Sequence, residues 1–324
     1  MATVPDSTHT RWTALAALPG LVLLLDLVRL AWGYSKDDSW ISFRYGRNWV
    51  MGEGLVFNPG ERIEGYTNPL WTLLMAPFAA VTDPMPWAAG FGVLATIVAL
   101  VCVVDATRRL GGSVWAATVA GVLYAVWPPV ALWAVAGLEQ GLVQALAAGG
   151  GAAAIRAAQA RDSRWGAAAG ALFAGAAMTR PDGHAVAAVG LLTLLLVSRR
   201  PGAWGIGVAG GLLAAFHGAR LAYYGSLVPN TFLVKGGSGL QYWEWGVAYL
   251  RDALVFGDLG VWLVVGAAGL LLWARRPDPA RAALVAVAAV VGIFAAYLVK
   301  VGVDELIWFR LFLPAWPGAA VAAA

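Results

Sequence analysis

Residues 13–33 read TALAALPGLVLLLDLVRLAWG and run directly into residues 34–68, YSKDDSWISFRYGRNWVMGEGLVFNPGERIEGYTN. The first stretch is apolar and long enough for a helix to cross a hydrocarbon core of ~30 Å at ~1.5 Å per residue. It is too long for a signal-peptide core and lacks an Ala-x-Ala exit, so it reads as an uncleaved first span. The second stretch crowds Lys36, Asp37, Asp38, Arg44, Arg47, Glu53, Glu61, Arg62 and Glu64 into one loop. A bare tether would not need them. Trp40, Phe43, Arg47 and Val50 fall at three- and four-residue spacings, which predicts an amphipathic interfacial helix over 39–50. Asn58-Pro-Gly60 and Thr67-Asn-Pro69 then punctuate turns.

Outward from this loop the chain keeps the same character. It has 324 residues, 60% of them hydrophobic and only 12% charged, with mean hydropathy +0.71, which excludes a soluble globular domain. Apolar runs recur at 69–81, 87–107, 113–133, 138–155, 165–179, 183–198, 203–222, 253–273, 281–300 and 307–324. The expectation is an all-α polytopic membrane protein, one transmembrane domain over 1–324 with about ten membrane helices, a long first loop at 34–68 and a second at 223–252. The thirteen residues 69–81 reach only about 20 Å, so they are expected as a partial or interfacial helix.

Arg11, Arg108/Arg109, Arg156/Arg161/Arg164, Arg199/Arg200 and Arg275/Arg276/Arg281 recur at alternate short loops, which marks that face as cytoplasmic and the two long loops as extracytoplasmic. The pI of about 9.4 is therefore a matter of topology and does not imply nucleic acid as a partner. Trp32, Trp40, Trp49, Trp71, Trp87, Trp127, Trp133, Trp204, Trp243, Trp262 and Trp308 lie near span ends, as an aromatic belt would. The lone Cys102 forms no intrachain disulfide and no thiolate cluster, so any metal would take oxygen ligands.

Polar chemistry gathers on the long-loop face. Asp37 and Asp38 close the first span, where a carboxylate can act as general base or ligate a divalent cation, or merely cap the next helix. Glu139 stands in GLEQG, Arg180 to His184 joins two spans, Pro229 to Lys235 lies in the second loop, and Asp304, Glu305 and Arg310 lie late in the chain. Each could be a plain ion pair: Arg180 with Asp182, Asp304 with Lys300, Asp26 with Arg29. Together, carboxylates with Arg and Lys on one face describe a site for a phosphate-bearing substrate. His217, on an apolar helix, reads as a structural histidine, and no phosphate-cradling glycine loop is present.

Asp37-Asp38-Ser-Trp-Ile-Ser-Phe-Arg-Tyr45 followed by GEGLVFNPGERIEGYTNPLW (52–71) closely resembles the first extracytoplasmic loop of GT-C glycosyltransferases of the actinobacterial terminal arabinofuranosyltransferase type. GLEQG (137–141), Thr179-Arg-Pro-Asp-Gly183, YYGSLVPNTFLVK (223–235) and VGVDELIWFRLFLP (301–314) resemble later blocks of that family in the same order. The late block departs from the family in reading Gly302-Val-Asp304, and the soluble extracytoplasmic domain that usually follows is expected to be absent.

The resemblance implies a GT-C-like bundle in the plasma membrane that moves a sugar, with arabinofuranose as the implied one, from a polyprenyl-phosphate donor to a cell-envelope glycan outside the membrane. Asp37 or Asp38 would deprotonate the acceptor hydroxyl and give transfer with inversion, while Arg44, Arg180, Lys235 and Arg310 would offset charge on the leaving phosphate. Glu64 and Glu139 would bind sugar hydroxyls or orient the base, and Trp40 and Tyr66 would stack on a sugar ring. Asn68, Asp182, His184, Asn230 and Asp304 complete the expected sugar and acceptor contacts. Mg2+ or Mn2+ on Asp37, Asp38 and Glu139 is an optional cofactor; no spacing demands it. The competing class is a lipid-linked saccharide transporter or carrier-binding protein, which would need mid-span polar residues on several helices; Asp26 and Arg29 are nearly alone there.

Overall fold

The computed structural model describes residues 6–231, 240–255, 279–301 and 309–324. Within them are thirteen α-helices, one 3-10 turn and no strand. They are α1 (Asp6–Ala31), α2 (Asp38–Val50), α3 (Pro69–Val81), α4 (Met85–Arg109), α5 (Val114–Val126), α6 (Pro128–Val135) and α7 (Gln140–Ala160). There follow α8 (Ser163–Thr179), α9 (Gly183–Val197), α10 (Arg199–Tyr224), α11 (Leu240–Val255), α12 (Pro279–Val301), the 3-10 turn Arg310–Phe312 and α13 (Trp316–Ala323).

Among the described residues, Thr8–Ala31, Met85–Arg109 and Arg199–Tyr224 are long and apolar enough to cross a membrane, and α5 with α6 makes a fourth as a pair bent by 59°. The bend has a local cause. Pro128 and Pro129 open α6, and the residue before a proline is pushed out of the α region, so Trp127 sits at φ −73, ψ 111. The run 113–133, expected as one span, is thus broken. The described part of the run 307–324 is likewise no single helix: Pro314 falls between the 3-10 turn and α13, and Pro317 sits in the first turn of α13. The expected span at 253–273 lies mostly outside the described residues, and the second long loop carries α11.

Packing is close because small residues line the contacts. α1 lies on α5 where Gly20 meets the Gly121 backbone: a Cβ on Gly20 would come 2.6 Å from the Gly121 carbonyl oxygen. α4 contacts α1, α5, α6 and α7; α7 continues to α8, and α8 to α9 and α10. One apolar core joins Leu24, Leu100, Val104, Tyr124, Trp127, Trp133 and Trp316, and a second lies around Phe173, Leu191 and Phe294.

The predicted interfacial helix exists as α2. Its buried face is Ser39, Ser42, Phe43, Tyr45, Gly46 and Asn48, whereas Trp40, Arg47 and Val50 stay exposed. α2 rests on α3, where Trp71 and Met75 are fully buried with Phe43. The aromatic belt is only part of the tryptophan story. Trp32, Trp40, Trp49, Trp87, Trp204 and Trp243 are exposed, but Trp71, Trp127 and Trp133 are 0–1% exposed and belong to the cores. Trp262 and Trp308 lie outside the described residues.

Candidate active site

The site lies at the end of the bundle where α1 finishes, α4 and α7 begin, and α8 and α10 finish. Lys36 N–H donates to the Ala136 carbonyl at 3.2 Å, and Trp71 Nε1 donates to the Gly137 carbonyl at 3.1 Å. A Cβ on Gly137, which has φ +84, would also meet Ser39 Oγ at 3.0 Å. The start of α2 is therefore held against the GLEQG turn. Asp37 caps α2, accepting the Asp38 N–H at 3.1 Å, and is exposed. Asp38 opens the helix and is half-buried; neither carboxylate has an ion-pair partner among the described residues.

Behind this pair stands a buried polar cluster. Arg180, released from α8 as its cap, donates Nε to Asp182 Oδ1 at 2.9 Å, Nη2 to Asp182 Oδ2 at 3.0 Å and Nη1 to Glu139 Oε1 at 2.8 Å. Gln140 completes the set once its amide is assigned the orientation that satisfies both neighbours, its nitrogen then donating to Glu139 Oε1 at 3.2 Å and its oxygen accepting from Arg180 Nη1 at 2.8 Å. Asn68 donates Nδ2 to Glu139 Oε2 at 2.7 Å, and its Oδ1 accepts from Ser42 Oγ at 2.9 Å and Thr72 Oγ1 at 3.1 Å. Burial alone would pull the Arg180 guanidinium down, but the Asp182 and Glu139 carboxylates overcome it and hold it above its ordinary value. Arg180 is thus permanently charged and fully committed.

A second buried pair anchors the rest of the first loop. Arg220 donates Nη2 to Glu64 Oε1 at 3.0 Å and Nη1 to the Leu227 carbonyl at 3.2 Å. Burial raises the Glu64 pKa above the ordinary value, with Arg220 opposing the shift in part. His184 Nδ1 lies 2.9 Å from the Pro181 carbonyl, so Nδ1 carries the proton and Nε2 faces His217 Nε2 at 3.4 Å. His217 Nδ1 in turn lies 3.4 Å from Arg220 Nη1. Tyr223 and Tyr224 clamp Leu55: its N–H donates to Tyr223 Oη at 2.9 Å and its carbonyl accepts from Tyr224 Oη at 2.6 Å. Tyr66 is buried, its hydroxyl 3.2 Å from that of Tyr224, and Tyr45 Oη donates to the Ile63 carbonyl at 2.7 Å.

The expected residues therefore divide. Glu139, Asp182, Arg180 and Asn68 meet in one cluster, with Glu64, Tyr66 and His184 in the adjoining chain. Arg44 is drawn elsewhere: it donates Nε to the Phe57 carbonyl at 2.8 Å and Nη2 to Asn58 Oδ1 at 3.1 Å, and stands 4.1 Å over the Phe57 ring. Trp40 is exposed and packs edge-on to Phe43. Asn230 contributes its backbone N–H to the Glu64 carbonyl at 2.9 Å, its side chain being exposed. Arg310 lies 5.6 Å over the Trp133 ring, which meets Tyr34 edge-on at 6.2 Å. Lys235 and Asp304 lie outside the described residues.

Four contributors are not marked as site residues by the sequence: Arg220, Gln140, and the Tyr34 hydroxyl and Trp133 Nε1, which are buried without a hydrogen-bond partner among the described residues. Arg220 had a usable signal, an arginine near the end of an apolar run. As for a cation, no three acidic, histidine or cysteine side chains converge among the described residues, and Glu139 spends both oxygens on Arg180 and Asn68. The carboxylates named for it do not form a cation cage.

The architecture is that of the GT-C fold of multi-pass membrane glycosyltransferases. ArnT from Cupriavidus metallidurans, solved bound to undecaprenyl phosphate, matches with a TM-score of 0.65 at 17% identity, over 97% of this chain and 59% of its own. The apo oligosaccharyltransferase of Archaeoglobus fulgidus matches at 0.63 and 14% identity, over 98% of this chain and 50% of its own. In sequence the chain is similar to the terminal β-(1→2)-arabinofuranosyltransferase of Mycobacterium tuberculosis, 31% identical over 282 residues, covering 78% of this chain. The enzyme of the same name from Corynebacterium glutamicum is 30% identical over 323 residues, covering 86%. The chain spans 44% and 46% of the lengths of these two curated relatives, and no family model matches it.

Proposed function

We propose that the chain is the membrane-embedded catalytic part of a glycosyltransferase that moves arabinofuranose from a polyprenyl-phosphate donor to a cell-envelope glycan on the extracytoplasmic face of the plasma membrane. The observation that carries this reading is the contrast between two sets of carboxylates. Glu139, Asp182 and Glu64 are buried and bound to arginines, whereas Asp37 and Asp38, at the start of α2, have no ion-pair partner among the described residues. A general base must be free to accept a proton, so the acid pair is the base and the buried carboxylates are scaffold.

In the proposed step the acceptor hydroxyl gives its proton to Asp38 as its oxygen bonds to the anomeric carbon. The bond from that carbon to the phosphate oxygen breaks, and the electron pair leaves with the lipid phosphate. Attack opposite the leaving group inverts the anomeric centre. Arg310 offsets charge on the leaving phosphate, joined by Lys235. Asp37 supports Asp38, and Tyr34 Oη and Trp133 Nε1 supply buried donors for substrate oxygens.

Two features support this reading: the sequence similarity to the two arabinofuranosyltransferases covers 78% and 86% of the chain, and a structural neighbour was solved with a polyprenyl phosphate. The test is transfer of labelled pentose from a synthetic polyprenyl-phosphate donor to a short arabinan acceptor by the purified chain. Transfer lost in Asp38→Asn supports the reading; saturable donor binding with no transfer by either protein contradicts it.

A further inference from the structure

The opposite end of the bundle carries a second polar cluster that the proposed chemistry does not use. α1 brings His9 there, α4 ends there with Asp105, Arg108 and Arg109, and α7 brings Arg156 and Gln159. Asp105 is buried; its Oδ2 accepts from Arg109 Nε at 2.9 Å and Arg156 Nη2 at 3.1 Å, and its Oδ1 lies 3.7 Å from His9 Nδ1. Arg108 donates Nη1 to the Gly112 carbonyl at 2.9 Å. Two guanidiniums thus share one carboxylate, and the Arg108 guanidinium adds a further positive charge with no carboxylate bonded to it among the described residues. His9 Nε2, Arg108 Nε and Arg156 Nε are all buried without a hydrogen-bond partner among the described residues. Polar nitrogens shut away from water and left unpaired are costly, and they are rare unless something else pairs them.

Beside the cluster lies an apolar cavity of about 250 Å³, whose walls include Ala106 and Leu110 of α4 and Gly151, Ile155 and Ala158 of α7. Gln159 belongs to both features: it lines the cavity and donates Nε2 to the Arg109 carbonyl at 2.6 Å. We propose that this is a site for an anionic glycerophospholipid of the leaflet opposite the candidate active site. Its phosphate takes the unpaired donors of Arg108 and Arg156, and one acyl chain enters the cavity. The excess positive charge calls for an anion, and arginine forks suit a phosphate. The adjoining apolar walls call for a hydrocarbon attached to it, and basic pockets between membrane helices are where such headgroups bind. The bound lipid would tie together the ends of α1, α4 and α7.

The test uses the whole purified chain, delipidated in detergent, with lipid retention read by native mass spectrometry. The probes are phosphatidylglycerol, phosphatidylcholine and inorganic phosphate. Two variants are compared with the parent: Arg108→Gln with Arg156→Gln, and Gly151→Leu. A Cβ on Gly151 meets nothing within 4 Å, so leucine fills the cavity without a clash at its root. Phosphatidylglycerol should be retained over phosphatidylcholine by about tenfold or more, each arginine contributing roughly fivefold. Both variants should lose that preference, and millimolar inorganic phosphate should not displace the lipid.

Equal retention of the two lipids overturns the proposal. Displacement by inorganic phosphate together with full retention in Gly151→Leu also overturns it, in favour of a free-anion site. Should the arginine double variant fail to fold, Arg108→Gln alone replaces it, since that side chain bonds only a backbone carbonyl among the described residues.

Discussion

Asn68 donates its amide to Glu139 across 2.7 Å, joining the last residue of the first loop to the turn that opens α7. Both side chains are buried, and the Asn68 oxygen is used as well, by Ser42 and Thr72. The bond fixes α2, and with it Asp38, relative to the Arg180 cluster. Replacing Asn68 by Ala strips a donor from a buried carboxylate and an acceptor from two buried hydroxyls. The expected cost is about 1–3 kcal/mol, read as a lowered midpoint in detergent unfolding.

Arg180 neutralises two buried carboxylates at once. Arg180→Gln leaves both without a counter-charge, and removal of one partner of a buried pair costs about 3–5 kcal/mol. Arg180→Lys should not rescue it, because an ammonium cannot reproduce the bidentate grip on Asp182 together with the third bond to Glu139. Unfolding midpoints of the two variants that both match the parent protein would refute this.

Glu64 supplies a pH dependence. Burial raises its pKa in the folded protein, so the folded state binds this proton more tightly than the unfolded chain does. Its contribution to stability is then greatest below the ordinary glutamate pKa and declines as pH rises through the raised value. Glu64→Gln should flatten that decline above the ordinary glutamate pKa, at the cost of leaving Arg220 with fewer acceptors. An unchanged slope in the variant would remove Glu64 as its source.

Gly46 lets α2 lie on α3: a Cβ there would come 2.8 Å from the Ala76 Cα. Gly46→Val should force the helices apart, costing about 1–3 kcal/mol as other overpacked contacts do. Because α2 carries Asp38, turnover should fall more than donor binding. Equal loss of both would mean that the helix shift acts on the donor seat instead.

The first loop was the most legible part of the sequence. Charge density, helical spacing and the Asn58-Pro-Gly60 turn lead to α2 and to a turn after it; that the loop bonds back upon α2 through Tyr45, Asn48 and Arg44 is seen only in the structure. What could not be read is how far each polar residue is spent on its neighbours. Arg44 looks like a phosphate ligand by type and place, yet a carbonyl and an amide thirteen and fourteen residues on hold it. Asn68 sits before Pro69 like an ordinary helix cap, but its side chain makes no cap bond because the cluster uses it. Arg220 is not legible as a site residue because its partner, Glu64, stands 156 residues away. Helix breaks at Trp127 and around Pro314 were legible in principle, since proline marks both, but apolar content alone favoured continuous spans.

The central claim is that the acid pair Asp37 and Asp38, without ion-pair partners among the described residues, performs the chemistry. It is tested most directly by single-turnover transfer from a polyprenyl-phosphate pentose donor, comparing the parent chain with Asp38→Asn and Asp37→Asn at saturating donor. The account predicts that Asp38→Asn keeps its unfolding midpoint and donor affinity while the rate falls by roughly 10²–10⁴, the usual worth of a positioned general base. Asp37→Asn should lose less. Transfer at the parent rate by both variants would contradict the assignment and take the acid pair out of the mechanism.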